Sequence, residues 1–178
     1  MALASSAVSS TDLITAAQYN NLRTDVTSHT HEGTDTALLR VGIYDHKTAD
    51  ETVNNSTTLQ NDDHISIAVE ANAFYALEAV FFLISGTTPD FKFLFVGPAG
   101  VAIDGLVHFV TTTFVAGFTE AAAVPILTTG ANEVAFLTGL VDTAGTAGAL
   151  TLQWAQNTAN ASDTKLLAGT WVRLTKVS

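Results

Sequence analysis

Between Phe74 and Ile84 the chain alternates with period two and is apolar on both sides of the alternation. Phe74, Ala76, Glu78, Val80, Phe82 and Ile84 fall on one face, and Tyr75, Leu77, Ala79, Phe81 and Leu83 on the other, because successive side chains of a strand point to opposite sides of its sheet. A strand with two apolar faces belongs in the middle of a sheet that is covered twice. One cover would be a second sheet, and the other a neighbouring subunit.

The same period recurs along the chain from Leu38 onward. Asp63–Val69 alternates, Phe91, Phe93 and Phe95 alternate ahead of the turn Gly97-Pro98-Ala99-Gly100, and Leu150, Leu152 and Trp154 share one face of Ala149–Gln156. Val101–Val115, Val124–Thr129, Val134–Val141 and Thr170–Val177 complete about eight strands. Turn-rich breaks at 128–132, 142–148 and 157–163 separate several of them. Short strands at this spacing with no helix between them predict an all-β domain, an antiparallel β-sandwich of jelly-roll type, over residues 41–178. Nine of the ten Phe residues lie between Phe74 and Phe118. Each contributes roughly 1.5–3 kcal/mol when buried, so this region is read as the core rather than as a ligand groove.

Composition closes several functional classes. Seven basic residues against seventeen acidic ones give a net charge of −10 with no Lys/Arg cluster, so the counterion release that drives nucleic-acid binding is missing. The absence of cysteine removes disulfides, thiolate metal sites and cysteine nucleophiles. Residues 1–15 lack the basic and apolar regions of a secretory signal, and the most apolar run, Ala71–Ser85, is too short to span a bilayer. Neither nucleic acid nor membrane insertion is expected.

Residues 1–40 read as an attachment arm. Thr15-Ala16-Ala17-Gln18 has the spacing of a capping box, and Tyr19, Leu22 and Val26 then form one apolar stripe on an otherwise polar helix of about twelve residues. A stripe so narrow does not hold an isolated helix together, so these three residues are expected to anchor the arm on a partner or on copies of itself. His29 and His31 follow, two residues apart. Three chains around a three-fold axis would bring six imidazoles together, an octahedral set suited to a divalent transition metal. The plainer reading is a pair of exposed linker histidines.

Other candidates carry less. Asn61-Asp62-Asp63-His64 lacks the alternating acidic spacing of a calcium loop and reads as a turn opening a strand. Glu78 sits in an apolar strand and is expected to face a polar contact between subunits rather than to act as a general acid. Asn54 and Asn160 open glycosylation-type tripeptides of a kind common by chance. No G-x-S-x-G, phosphate loop or nucleophile–base pair is visible, so no catalytic residue is assigned and no enzyme is expected.

The run from Leu13 to Val26, followed by His29-Thr30-His31-Glu32-Gly33-Thr34-Asp35, resembles the N-terminal segment of many tailed-phage virion proteins, in which a TA…N.LR.D helix leads into an HTH-G-TD linker. Lys47–Val53, Thr57–Ile65, Asp90–Phe93 and Leu152–Asn157 are similar to phage structural proteins as well. The resemblance implies a non-enzymatic structural protein on the exterior of the particle, assembled in the host cytoplasm. It would be an appendage of tail-fibre or tail-tip type, most plausibly a homotrimer held by other virion proteins. Two alternatives stand beside it. One is a capsid decoration protein gripping the major capsid shell through its arm. The other is a receptor- or carbohydrate-binding module using the 142–148 and 157–163 loops, with Trp171 as a stacking platform for a host glycan.

Overall fold

The computed structural model describes residues 42–109 and 115–177. The attachment helix with Tyr19, Leu22 and Val26, and the His29/His31 pair, lie outside the described residues.

Twelve strands and no α-helix occur among the described residues. They are β1 (Gly42–His46), β2 (Glu51–Val53), β3 (Gln60–Val69), β4 (Phe74–Ile84), β5 (Phe91–Val96), β6 (Ala102–Phe109), β7 (Val115–Thr119), β8 (Val124–Ile126), β9 (Asn132–Asp142), β10 (Gly148–Gln156), β11 (Thr164–Leu166) and β12 (Trp171–Lys176). They form two sheets, one in the order β3-β10-β5-β8 and a larger one in the order β1-β12-β4-β9-β6-β7, with β11 bridging β2 and β4. Every pairing is antiparallel.

The pairings reveal the winding. β6 pairs with β7, β5 with β8, β4 with β9 and β3 with β10. These are the rungs of one long hairpin whose two arms each run through four strands. Rolling that hairpin up adds the pairings β6–β9 and β5–β10 and splits its strands between two facing sheets. The result is the jelly roll that the alternation implies, with β1 and β12 added beside β4.

Alternation then decides what lies between the sheets. The face of β4 bearing Tyr75, Leu77, Ala79, Phe81 and Leu83 is buried, as are Phe91, Phe93 and Phe95 of β5 and Leu150, Leu152 and Trp154 of β10. Phe81 meets Phe93 edge-on at 5.4 Å, and Phe91 stacks on Trp154 at 5.6 Å, the offset and T-shaped geometries that aromatic quadrupoles favour. Two glycines make room for another ring. Gly139 and Gly105 are register partners, and Phe118 lies opposite Gly105. A Cβ on Gly105 would collide with the Phe118 ring. With that space open, Phe118 reaches Phe93 at 5.6 Å and Phe95 at 6.1 Å on the opposite sheet.

The expected strands at Phe74–Ile84 and Phe91–Val96 occur at those residues. The single strand expected over Val101–Val115 is instead β6 ending at Phe109, with β7 beginning at Val115. Three strands, β1, β2 and β11, were not expected.

Candidate functional site

Two regions of the domain gather polar chemistry, and each must be read against the packing around it. The first is buried. Lys47 follows β1 and is almost fully enclosed. Its ammonium lies 2.6 Å from Asp62 Oδ2 and 3.0 Å from Glu51 Oε2. Asp62 Oδ1 accepts the backbone N–H groups of His64 and Ile65, both at 3.0 Å. Glu51 accepts the Trp154 indole N–H at 3.1 Å and the Asp63 N–H at 2.8 Å. Asp62 is therefore no simple turn residue. It caps an irregular stretch of β3, beside the register shift with β10 between Thr151 and Gln153, and anchors a buried cation.

Glu51, Asp62 and His64 offer ligand atoms within 4.8 Å of one another, a separation that would suit a metal ion. The Lys47 ammonium already takes both carboxylates, and its fixed charge opposes a second cation at the same place. The cluster is a structural ion network, tying the β1–β2 connection to β3 and β10 under the indole of Trp154.

The second region is the outward face of the larger sheet. Register places Tyr44, Arg173, Glu78, Thr138 and Leu106 in one row, and His46, Trp171, Val80, Phe136 and His108 in the next. Phe74, Leu140 and Phe82 extend the face along β4 and β9. Leu106 is 54% exposed, and Phe136 and Leu140 45% each. Five spacings of ~4.8 Å between six strands, by ~3.3 Å for each residue of β9, give a face on the order of 800 Å². Glu78 lies on this face and is paired within the chain: Arg173 donates to its Oε2 through Nε at 2.9 Å and also through Nη2.

At the β1 edge of this face a groove of about 540 Å³ is lined by Gly42, Tyr44, His46, Gly169, Trp171 and Arg173. The Tyr44 and His46 rings stack at 5.7 Å with an interplanar angle of 21°. Trp171 is thus brought together with aromatic neighbours, but not with both loops assigned to it from sequence. The 143–146 turn bonds to Asn72 and Ala73 at the start of β4, whereas Asn157 and Thr158 bond to Asp90 and Pro89 beyond its far end. Those two loops lie at opposite ends of the sandwich. Sequence reasoning missed Tyr44 and His46, and the signal available was their i, i+2 spacing opposite the Trp171/Arg173 pair, which share a face only if β1 is recognised as a strand.

No protein-family model matches the chain, and no curated protein is significantly similar to it. Among solved structures the chain is similar to one titled "Structure of infectious bursal disease virus Gt strain", at 10% identity over 76% of this chain and 39% of that chain, with a TM-score of 0.17. The chain spans about two fifths of that relative's length, and a likeness this slight carries no weight for function.

Proposed function

We propose that the chain is a non-enzymatic structural protein on the exterior of a tailed-phage particle. In this reading it is an appendage of tail-fibre or tail-tip type, in which copies of the jelly roll associate through the outward face of the larger sheet. One observation carries the reading: Phe74, Leu106, Phe136 and Leu140, each 39–54% exposed, lie together on the β4, β9 and β6 part of that face. A contiguous group of exposed apolar side chains marks an association surface; the whole six-strand face, its polar rows included, measures on the order of 800 Å². The homotrimer is what the N-terminal resemblance implies; its contacts would be heterologous, one part of the face on each chain meeting a different part on the next.

Jelly rolls serve viral shells and lectins alike, and a fold by itself does not choose between them. The phage placement draws its support from the N-terminal run Leu13–Asp35. Sedimentation equilibrium of the full chain at micromolar concentration tests the association. A trimer is expected, converted to monomer by Leu106→Glu with Phe136→Glu. A monomeric parent protein would overturn the reading. Gold labelling of intact particles then places the protein on tail or shell.

A further inference from the structure

The groove between β1 and β12 lies at the edge of that same face, outside the apolar patch on β4, β9 and β6. β1 stands three strands from β9 in the sheet order, ~14 Å from the centre of the apolar patch at ~4.8 Å per strand. The volume of about 540 Å³ falls within the ~300–1,000 Å³ of small-ligand sites.

The walls pair apolar rings with unspent polar atoms. Tyr44 is 62% exposed, lies against His46, and faces Arg173 across the ladder, as His46 faces Trp171. Among the described residues, no hydrogen bond engages the Tyr44 hydroxyl, the His46 imidazole or the Trp171 indole N–H. The Arg173 guanidinium spends Nε and Nη2 on Glu78 Oε2, which fixes its plane and leaves Nη1 as a donor and Glu78 Oε1 as an acceptor. The floor depends on Gly42, where a Cβ would lie 2.9 Å from Arg173 Cδ and push the side chain away. Gly169, whose φ of +87° suits glycine, completes the lining.

We propose that this groove binds a neutral pyranose unit of a glycan, with Trp171 and Tyr44 receiving the C–H face of the ring and Arg173 with Glu78 receiving its hydroxyls. Aromatic faces carry partial negative charge and attract polarised C–H groups, while a sugar's equatorial hydroxyls need donors and acceptors in one plane. The Arg173 and Glu78 charges cancel locally, and a chain of net charge −10 repels an anionic sugar.

The full-length chain is titrated with methyl glycosides of neutral hexoses and N-acetylhexosamines, with sialic acid and phosphocholine as charged probes. Saturation-transfer NMR reads binding, and acrylamide quenching of tryptophan fluorescence locates it. Trp154 is fully buried, so quenching reports Trp171. At least one neutral glycoside is expected to shield Trp171. Tyr44→Ala and Trp171→Ala should each weaken it about tenfold or more, with circular dichroism and sedimentation unchanged. No protection by any neutral glycoside, binding that survives both substitutions, or preference for sialic acid or phosphocholine would overturn the proposal. So would shielding of Trp171 that appears without sugar and vanishes on dilution, because a second copy would then occupy the groove. Sedimentation of the same samples keeps this result separate from the association reading.

Discussion

On the outside of the four-stranded sheet, Ser66 and Thr151 hydroxyls meet at 3.2 Å and Gln153 donates to Asn61 at 2.8 Å, so cross-strand polar pairs run along that face and Val96 is its one large exposed apolar side chain on β5. On the outside of the larger sheet, Phe136, Leu140 and Leu106 face outward with no described layer over them. Both sheets obey the same alternation and share one core. The difference teaches that the interior of the sandwich is complete with two layers, and that the apolar surplus of the larger sheet serves something other than folding this domain.

The largest effect should come from the buried lysine that joins β1 and β2 of the larger sheet to β3 of the smaller one. Lys47→Met leaves Asp62 and Glu51 without their cation and should lower the unfolding free energy by ~3–5 kcal/mol, read from urea melts. The folded fraction should still associate, because Lys47 is buried and takes no part in the patch. A loss below ~1 kcal/mol would mean that the network is not what joins β1–β2 to β3. Next comes the direct contrast between faces. Leu106→Glu with Phe136→Glu should weaken association about a hundredfold, ~2.7 kcal/mol, whereas Thr151→Glu on the opposite face should leave the sedimentation profile unchanged. Equal effects from both would erase the distinction.

Smaller still is the ion pair on the larger face. Glu78→Gln should cost ~0.2–1 kcal/mol of folding stability, as for other exposed pairs, and a greater loss would make the Tyr44–Arg173–Glu78 row a folding element. The smallest effect concerns pH. The Ile103 N–H donates to Glu120 at 2.7 Å, and this bond holds the carboxyl below its ordinary pKa. A depressed carboxyl contributes stability that is present above the unfolded-state pKa and lost as pH falls through the folded one. Glu120→Gln should therefore flatten a shallow part of the acid limb in urea midpoints measured against pH. An unchanged limb would remove this contact from the account.

Strands with a dense apolar rhythm were legible from sequence. β4 and β5 have the predicted bounds, and Leu150, Leu152 and Trp154 point inward together. β1, β2 and β11 were not, because Gly42–His46 is mostly exposed and the other two have three residues each, too few for periodicity to register. The groove was half visible for the same reason. Trp171 lies in a predicted strand, but Tyr44 and His46 belong to one that no pattern announces. The Lys47 network was hidden differently, since its members come from separate strands and meet only after folding.

The wound hairpin carries a consequence for the timing of maturation. Pairs near the tip, such as Leu106 with Gly117, close a short loop, whereas Gln60 must find Trp154 across most of the domain. Non-local pairing slows folding towards milliseconds or longer. β12 completes the larger sheet between β4 and β1, so the wall of the groove that holds Trp171 and Arg173 is synthesised after the other eleven strands. A nascent chain would carry Tyr44 and His46 on an unpaired β1 until β12 emerges.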